Sequence, residues 1–315
     1  MNFAPVLLFV YNREWHTKQT ISALLKNPEA VQTALYIYSD GPKTDADQQQ
    51  ITSLRKYLKE LTGFKSITIV EREKNIGLAA NIIDGVGTVV SRHRRVIVLE
   101  DDIITSTSFL KYMNASLDYF QNRPEVMHIS GYMYPIDKND LPNTFFLRLG
   151  TCWGWATWDR AWKYFEKNPV KQIGQLNKAE VSRFNLDDAY DFHDQLLLNY
   201  WGRINTWAIF WYHTIYTTGG FSLHPKYPLT QNIGFDSSGT HGTDTSKYDV
   251  ELCEKLIFDF PTTISENQNA RSLLSAYFKR TENRSLKITI KTWIKKRLIL
   301  LDHFLRHKRV QNGLE

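Results

Sequence analysis

The stretch Val96-Ile97-Val98-Leu99-Glu100-Asp101-Asp102 decides the fold of this chain. Its four consecutive apolar residues predict a β-strand that is buried on both faces, as in the centre of a parallel sheet. Three carboxylates follow at once, and their mutual repulsion disfavours a buried turn unless a cation lies nearby. The stretch therefore predicts a central strand with a charged site at its carboxyl end.

The hundred residues that lead to this strand alternate between strand and helix patterns. Apolar runs and apolar residues at helical spacing predict strands at 6–11, 34–38 and 67–70 and helices at 15–25 and 78–93. Between them lies a second helix, which carries Ile51, Leu54, Leu58 and Leu61 at helical spacing. Asp45 or Asp47 is expected to cap the second helix, and Gly63 to end it. This alternation predicts an α/β protein with an open, doubly wound sheet, in which ligands bind beyond the carboxyl ends of the strands.

The second half of the chain is less regular. A helix at 108–120 and strands at 126–130 and 145–147 are predicted. No internal repeat or flexible linker interrupts the sequence, and a single boundary falls near residues 281–285. We therefore expect one domain made of two halves, 1–103 and 104–282, followed by a tail at 283–315.

The overall composition is that of a globular protein, with 42% apolar and 13% aromatic residues. Two cysteines, Cys152 and Cys253, fit a reducing compartment and are expected to be small buried apolar residues. The apolar run at 6–11 is too short for a signal peptide, and no stretch reaches the length of a membrane span. These features predict a cytoplasmic protein.

The formal charge of +6 is largely a property of the tail. The tail carries apolar residues at about helical spacing among its lysines and arginines, from Trp293 to Leu305. It is either a basic amphipathic helix on the anionic inner face of the cytoplasmic membrane or a helix packed on the domain. Because the cations crowd into one tail rather than alternating with aromatic residues, we expect no nucleic-acid partner.

The acidic turn has two interpretations. Mn²⁺ and Mg²⁺ bind oxygen ligands, often one or two carboxylates together with substrate phosphates, and a divalent cation can neutralise a departing diphosphate. Alternatively, the carboxylates cap the following helix. An acidic pair at the end of a strand also occurs in nucleoside triphosphatases, but the absence of a G-x-x-x-x-G-K-[ST] sequence disfavours one of the phosphate-loop type.

Other polar side chains are expected at the same edge of the sheet. Arg13 follows the first predicted strand, Asp40 the second, and Lys74 and Asn75 the third. Asp40 can accept the N–H of a pyrimidine base, although it also suits an ordinary turn before Gly41. Their shared position at carboxyl ends of strands is the stronger argument for a common site.

Tryptophans and a late glycine-rich segment supply further candidates. Trp153, Trp155 and Trp207 can stack on a sugar ring or fill the core, and their spacing does not separate the two. The segment from Asn232 to Gly242 has the composition of a loop that closes over a ligand. His241 in this segment is a candidate metal ligand or phosphate contact, or an ordinary loop histidine.

Five motifs in order carry a family resemblance: Pro5-Val-Leu-Leu-Phe-Val-Tyr-Asn-Arg13, Ser39-Asp-Gly-Pro-Lys43, Asn75-Ile-Gly-Leu-Ala-Ala-Asn81, Val96-Ile-Val-Leu-Glu-Asp-Asp102 and Asn232-Ile-Gly-Phe-Asp-Ser-Ser-Gly-Thr-His241. Together they resemble bacterial glycosyltransferases of the GT-A fold. More distantly they resemble the N-acetylglucosaminyltransferase I that begins complex N-glycans. The resemblance spans residues 4–245. It implies a GT-A type mixed sheet with a nucleotide-sugar-binding first half and an acceptor-binding second half.

The resemblance also implies roles for individual residues. Arg13 and Asp40 would contact the nucleotide, Asp102 would bind Mn²⁺ or Mg²⁺, and Asp101 and Glu100 would hold the ribose or the donor sugar. Thr240 and His241 would lie in a loop over the donor. The implied reaction is inverting transfer from a nucleotide-diphosphate sugar, with UDP-sugar favoured, to a surface glycan or a lipid-linked saccharide.

One position departs from the family pattern. Where the family has an acid that serves as general base, this chain has Asn205 in Ile204-Asn205-Thr206-Trp207. An amide cannot accept the proton of the acceptor hydroxyl. Asp194 and Asp191 are the nearest candidates for the base, and Asp187 and Asp188 are weaker ones. Two alternatives stay open. The missing acid is consistent with a sugar-nucleotide-binding protein without turnover, and a doubly wound sheet with metal-binding acids is also found in nucleotidyltransferases.

Overall fold

The computed structural model describes residues 3–237, 245–254 and 259–282. The chain forms two compact units, of which the first comprises 1–167 with 206–273 and the second 168–205 with 274–315, as far as these residues are described. Across the described ranges, no helix combines the length and the apolar character needed to cross a bilayer.

The described residues contain ten strands. They are β1 (Val6–Val10), β2 (Ala34–Ser39), β3 (Ser66–Glu71), β4 (Arg95–Glu100), β5 (Ile103–Thr105), β6 (Val126–Ser130), β7 (Thr144–Leu147), β8 (Trp155–Trp158), β9 (Phe221–Pro225) and β10 (Thr230–Asn232). Eight of them form one sheet in the order β3-β2-β1-β4-β8-β6-β9-β7, while β5 and β10 form an antiparallel pair. All ten belong to the first unit.

The order of the strands creates a place for a ligand. Strands β1 to β4 run parallel, and β1 lies between β2 and β4. The chain first adds β2 and β3 on one side of β1 and then returns to add β4 on the other side. A crevice therefore opens at the carboxyl ends of β1 and β4, which is where doubly wound sheets bind ligands.

The second half makes the sheet mixed. Strand β8 runs antiparallel to both β4 and β6, and β7 runs antiparallel to β9. Because β8 reverses direction, its first residue, Trp155, pairs with Val98 near the carboxyl end of β4 and with Ser130 at the end of β6. The starting residues of β8 thus share an edge with the acidic turn.

Helices cover both faces of the sheet. The helices of the first unit are α1 (Glu14–Leu25), α2 (Asp45–Lys59), α3 (Leu78–His93), α4 (Phe109–Tyr119), α5 (Asp159–Trp162) and α9 (Ala208–Thr217). Alternate residues of β1 point to opposite faces: Leu8 packs in one core with α1, α2 and α4, and Leu7 packs in another with α3, α5 and α9. The predicted doubly wound, mixed α/β sheet is confirmed.

The second unit is helical in its described part. It contains α6 (Pro169–Gly174), α7 (Lys178–Phe184) and α8 (Phe192–Tyr200), and α10 (Gln268–Thr281) ends within it. After α7 the backbone of Leu186, Asp187 and Asp188 is left-handed, with φ of 52°, 58° and 58°. The Ser275 hydroxyl donates to the Leu186 carbonyl at 3.0 Å, which ties this turn to α10.

Most elements of the first hundred residues agree with the sequence-based expectation, and α3 agrees at both ends. The cap of α2 is a correction. Thr44, not Asp45 or Asp47, is the N-cap residue, and its N–H donates to the Asp47 carboxylate at 2.9 Å. Asp47 thus acts from the third helical position, as in a capping box. Strand β8 and the short helices of the second unit had no clear signal in the sequence.

Two buried histidines make the sheet sensitive to acid. On β6, His128 lies between the Ser222 hydroxyl (2.6 Å) and the Thr151 carbonyl (3.0 Å), and on β9 the Nε2–H of His224 donates to the Leu149 carbonyl at 2.9 Å. Burial lowers the pKa of His128 to about 3 and that of His224 to about 4. Both rings are therefore neutral in the folded protein.

We expect His224→Gln to flatten the loss of stability in acid. An unfolded histidine has a pKa of about 6.5. Between that pH and about 4 the unfolded chain binds the additional proton, so the native histidine lowers the free energy of unfolding by up to about 1.4 kcal/mol per pH unit as the pH falls. Urea unfolding between pH 7 and pH 4.5 should show a smaller slope for His224→Gln than for the wild type. Identical slopes would contradict the assignment. His93→Gln, at an exposed site where burial lowers the pKa less, is the control and should flatten the slope less.

Candidate active site at the carboxyl ends of β1, β2 and β4

The acidic turn lies at the crevice between β1 and β4. Glu100 is the last residue of β4, and Asp101 and Asp102 form the turn into β5. Both aspartates are buried. The Thr20 hydroxyl on α1 donates to the Asp101 carbonyl at 2.8 Å, which fixes the turn against that helix. The charged turn that the sequence predicts at the end of the central strand therefore lies at the edge where doubly wound sheets bind ligands.

Arg13 supplies the positive charge that the turn requires. It follows β1, and its Nη2 donates to both Asp101 and Asp102, the latter at 2.6 Å. Burial opposes the charge on Arg13, but Asp101 and Asp102 outweigh it and raise its pKa. Its Nη1 is buried and has no hydrogen-bond partner among the described residues. The guanidinium thus holds the two aspartates and retains a donor for an additional acceptor.

Glu100 and Asp101 resist ionisation because they are buried beside other carboxyl groups. Burial, followed by the charges of Asp102 and Asp101, raises the pKa of Glu100 to about 8. Burial and the charge of Asp102 also raise the pKa of Asp101, against the opposing effect of Arg13. Trp207 donates its indole N–H to Glu100. A further cation placed here would be favoured, because it would relieve both the repulsion and the cost of burial.

The segment after β10 closes against the turn. The Ile233 N–H donates to the Asp102 carbonyl at 2.9 Å, and the Gly234 N–H donates to the Asn232 side chain at 2.7 Å. A Cβ added to Gly234 would overlap Oδ2 of Asp102 and lie 3.0 Å from Arg13 Nη1. The backbone of Gly234 therefore approaches both polar groups more closely than a residue with a side chain could.

Gly234→Ala should displace Asp102 or Arg13 and weaken ligand binding. Because the added methyl group meets Asp102 and Arg13, the carboxylate or the backbone must shift, at a cost of roughly 1–3 kcal/mol. We expect the affinity for a nucleoside diphosphate with Mn²⁺ to fall about tenfold or more by calorimetry. Gly174→Ala is the matched control, because a Cβ there meets no atom within 4 Å. Unchanged affinity in Gly234→Ala would show that the positions of these two side chains do not matter for binding.

Asp40 organises the loops at the ends of β2 and β3. Its Oδ1 accepts the N–H of Gly41 (2.9 Å) and of Ile76 (3.0 Å), and its Oδ2 accepts the N–H of Gly77 at 3.0 Å. The Asn75 side chain donates to the Gly41 carbonyl at 3.0 Å. Three of the approximately four acceptor positions of the carboxylate are therefore used, and one on Oδ2 is left.

Asp40→Ala should destabilise the protein measurably. The substitution leaves the part-buried N–H groups of Ile76 and Gly77 without their acceptor, the buried Asp40 carboxylate, and each such loss costs about 1 kcal/mol or more. We expect the free energy of unfolding in urea to fall by at least about 2 kcal/mol. Asp45→Ala, at an exposed carboxylate that starts α2, should cost less than about 1 kcal/mol. Equal effects of the two substitutions would contradict the organising role of Asp40.

The three candidate tryptophans separate into two environments. Trp155 is 0% exposed and stacks between His128 and Trp207, at ring-centroid distances of 5.6 and 5.1 Å. Trp207 is 3% exposed, so both indoles fill the core, which is one of the two roles that their spacing left open, and neither can stack directly on a sugar. Trp207 reaches the site only through its bond to Glu100. Trp153 is half-buried and keeps accessible surface.

The donor set of the turn suits a hard divalent cation. Among the described residues, no three histidine, cysteine, aspartate or glutamate side chains converge in the manner of an all-protein metal site. Mg²⁺ in particular, however, is typically held by one or two carboxylates plus substrate phosphates. The Asp102 carboxylate at the carboxyl end of β4 fits that type of site.

The other candidates lie in the loop after β3, in the second unit or outside the described residues. Lys74 is exposed and Asn75 half-buried in the loop held by Asp40. Asp191 is the N-cap residue of α8 and Asp194 lies in its first turn, both in the second unit. Thr240 and His241 lie outside the described residues.

Several contacts of the site have weak signals in the sequence. His16 on α1 meets Asp236 at 3.0 Å, across 220 positions of the chain. The approach of Gly234 to Asp102 and the Trp207–Glu100 bond are also long-range. The composition of the segment from Asn232 to Gly242, which predicts a loop that closes over a ligand, was the available indication.

Comparisons with known proteins give structural likenesses only. No family model matches the sequence, and no curated protein matches it. Similar solved structures include a mannosyltransferase, PcManGT from Pyrobaculum calidifontis in complex with GDP-Man and Mn²⁺, with 10% identity, a TM-score of 0.37 and coverage of 69% of this chain and 70% of that chain.

Structures of S. aureus TarS are also similar. TarS 1-349 has 11% identity and a TM-score of 0.39, with coverage of 72% of this chain and 59% of that chain. Its complex with UDP has 16% identity and a TM-score of 0.31, with coverage of 45% and 38%. The match thus spans less than two thirds of the TarS chains. Function is inferred from the residues of the site itself.

Proposed function

We propose that the protein is a metal-dependent glycosyltransferase that uses a nucleotide-diphosphate sugar. One observation carries this proposal: the buried turn Glu100-Asp101-Asp102 meets Arg13 at the carboxyl ends of β1 and β4, and Gly234 packs against both without a side chain. Asp102 offers a carboxylate for a cation, and Arg13 offers a guanidinium N–H for a phosphate. A metal-bound diphosphate requires this pair of groups.

We propose that the donor lies along the edge of the sheet, from the carboxyl end of β2 to that of β4. The Nη1 of Arg13 donates to a phosphate oxygen, and the remaining acceptor position of Asp40 takes the N–H of a base. A uracil ring offers such an N–H, so a UDP-sugar is the preferred donor. Lys74 and Asn75 border the same loop, and Glu100 and Asp101 hold hydroxyl groups of the ribose or donor sugar. Thr240 and His241 are proposed to contact the donor, His241 as a second metal ligand.

Asp102 would hold Mn²⁺ or Mg²⁺, and the bound ion would supply Lewis-acid stabilisation of the departing diphosphate. Arg13 adds a second positive charge from within the protein and keeps Asp102 in position. Trp207 orients Glu100, and the segment at Ile233 and Gly234 covers the turn. The residues of the chain therefore bind and orient the donor while the leaving group gains charge.

The acceptor half of the reaction rests on the family resemblance. It favours an inverting transfer of a hexose or an N-acetylhexosamine to a hydroxyl of a surface glycan or lipid-linked saccharide, with N-acetylglucosaminyltransferase I as a distant relative. Asp194 or Asp191 is proposed as the general base in place of the acid missing at Asn205. The basic tail is proposed to attach the cytoplasmic protein to the inner face of the membrane.

The products of the reaction test this proposal. Purified protein is incubated with Mn²⁺ and each of UDP-glucose, UDP-galactose, UDP-N-acetylglucosamine and GDP-mannose, with and without methyl glycosides as acceptors. We expect release of nucleoside diphosphate from one donor class, increased by an acceptor and abolished by chelation. Release of pyrophosphate from a nucleoside triphosphate and a sugar phosphate would identify a nucleotidyltransferase instead.

Asn205 favours one second candidate, a sugar-nucleotide-binding protein without turnover. This candidate predicts metal-dependent binding of the nucleoside diphosphate and no release from any donor. Asn205→Asp distinguishes the two, because restoring a carboxylate should create activity in an impaired enzyme. An enzyme that already uses another acid should gain little.

A further inference from the structure

We propose that four aromatic residues beside the acidic turn form a platform for the pyranose ring of the acceptor. The platform consists of Tyr134, Trp153, Phe235 and Tyr248, and the buried Tyr132 supports it through contacts with Trp153 and Tyr134. We call these five residues the aromatic wall. The inference rests on the proposed function, since it names the surface that would present the acceptor to the donor.

The sheet topology places the aromatic wall on the correct edge. Trp153 lies two residues before Trp155, which pairs with Val98 near the carboxyl end of β4. Tyr132 follows β6, whose last residue pairs with Trp155, and the Gly131 N–H donates to the Gly154 carbonyl at 2.8 Å. The residues that leave β6 and enter β8 thus lie at the same edge as Glu100, Asp101 and Asp102.

The position along that edge favours the acceptor over the nucleotide. Asp40 and Arg13 follow β2 and β1, on one side of β4. On the other side, Trp153 precedes β8, and Tyr132 and Tyr134 follow β6. A diphosphate at Asp102 directs its nucleotide toward Asp40. An acceptor must approach the sugar from the side opposite the leaving group, which is the side of the aromatic wall.

The contacts within the aromatic wall fix it as one surface. Trp153 meets Tyr132, Tyr248 and Phe235 edge-on, with ring centroids 4.6, 5.1 and 5.5 Å apart. The Tyr132 hydroxyl donates to the Tyr248 carbonyl at 2.8 Å. Phe235 also follows Gly234, which contacts the Asp102 carboxylate. The wall is therefore continuous with the segment that borders the turn.

Exposure distinguishes this cluster from the other aromatic groups of the sheet. Trp155, Trp162, Trp207 and Trp211 are buried, and their packing completes the core. Trp153, Tyr134, Phe235 and Tyr248 are only half-buried, although they are large and lie together. A sugar ring presents one face of C–H groups and a rim of hydroxyl groups. Indole and phenol rings combine the apolar surface and polar tips that match it.

Saturation-transfer NMR with methyl glycosides tests the aromatic wall. The probes are methyl β-D-glucopyranoside, its galactose epimer and the 2-acetamido analogue, with UDP and Mn²⁺ present and sorbitol as a compound without a ring. We expect saturable binding of at least one glycoside, and Trp153→Ala should weaken it about tenfold. Trp153→Phe should retain most of the affinity. Trp201→Ala, at an exposed indole outside the wall, should not change it.

Two binding results would overturn the proposal. In the first, no methyl glycoside binds; in the second, Trp153→Ala binds the glycosides as tightly as the wild type does. In a transfer assay, Trp153→Ala should raise KM for the glycoside and leave KM for the donor unchanged, and the reverse pattern would place the donor sugar on the wall instead. If Trp153→Ala does not fold, Tyr248→Ala, at another half-buried residue of the aromatic wall, repeats the test.

The outcome separates this inference from the proposed function. Calorimetry with UDP and Mn²⁺ on the same samples reports the donor site independently. Glycoside binding without nucleotide binding would reject the transferase and retain a sugar site. Nucleotide binding without glycoside binding would reject the aromatic wall alone.

Discussion

Asp102→Asn is expected to reduce sugar transfer by roughly 100- to 1,000-fold, the loss typical when one electrostatic contact to a transition state is removed. The amide keeps the size of the side chain and can still accept from Arg13, which also retains Asp101. It loses the negative charge that would hold the cation against the leaving diphosphate. The variant should therefore fold normally and fail in catalysis.

Donor turnover under Mn²⁺ and urea unfolding measure these two effects separately. Asp118→Asn is the matched control, because Asp118 pairs with Arg95 at the opposite end of the same strand, β4. Activity of Asp102→Asn within about threefold of Asp118→Asn would remove Asp102 from the metal site, since the electrostatic loss expected there is far larger.

Arg13→Gln is expected to cost about 3–5 kcal/mol of unfolding free energy, as for other buried ion pairs that lose one partner. Arg13 is the cation that meets both Asp101 and Asp102 among the described residues, and it lowers the pKa of Asp101 and Glu100. Without it, the carboxyl groups must either protonate or repel one another. Urea unfolding at pH 8 should show the full loss.

The pH dependence of Arg13→Gln gives an internal check. The loss arises only while the carboxyl groups are charged, so it should shrink at pH 5, where protonation relieves the repulsion. Arg94→Gln is the control, because Arg94 is 80% exposed in its pair with Asp159 and should contribute no more than about 1 kcal/mol. A loss that is the same at both pH values would contradict the electrostatic explanation.

The sequence predicted the parts of the site that depend on local pattern. Val96 to Asp102 combine a buried strand and an acidic turn within seven residues, so both the strand and its charged end are legible. Arg13 and Asp40 follow from the rule that parallel strands meet at their carboxyl ends. The structure also brings Arg13 against the acidic turn, which that rule leads one to expect.

Long-range contacts explain what the sequence did not predict. Gly234 meets Asp102 because β10 pairs with β5, two short strands that are 125 residues apart at Thr105 and Thr230. The directions of Trp153, Trp155 and Trp158 depend on β8 entering the sheet antiparallel to β4, and no local spacing encodes that choice. Asp40 has a structural role as well, because three backbone N–H groups from two loops converge on it.

Thermal unfolding with UDP, GDP, CDP, dTDP and CMP, each with and without Mn²⁺, tests the central claim most directly. A ligand at about a hundred times its dissociation constant adds roughly 2.7 kcal/mol to the folded state. The proposed site predicts that one nucleoside diphosphate raises Tm only when Mn²⁺ is present, and that Asp102→Asn abolishes the increase. If no nucleotide raises Tm at millimolar concentration in the wild type, the turn is not a metal–diphosphate site, and its carboxylates serve the fold alone.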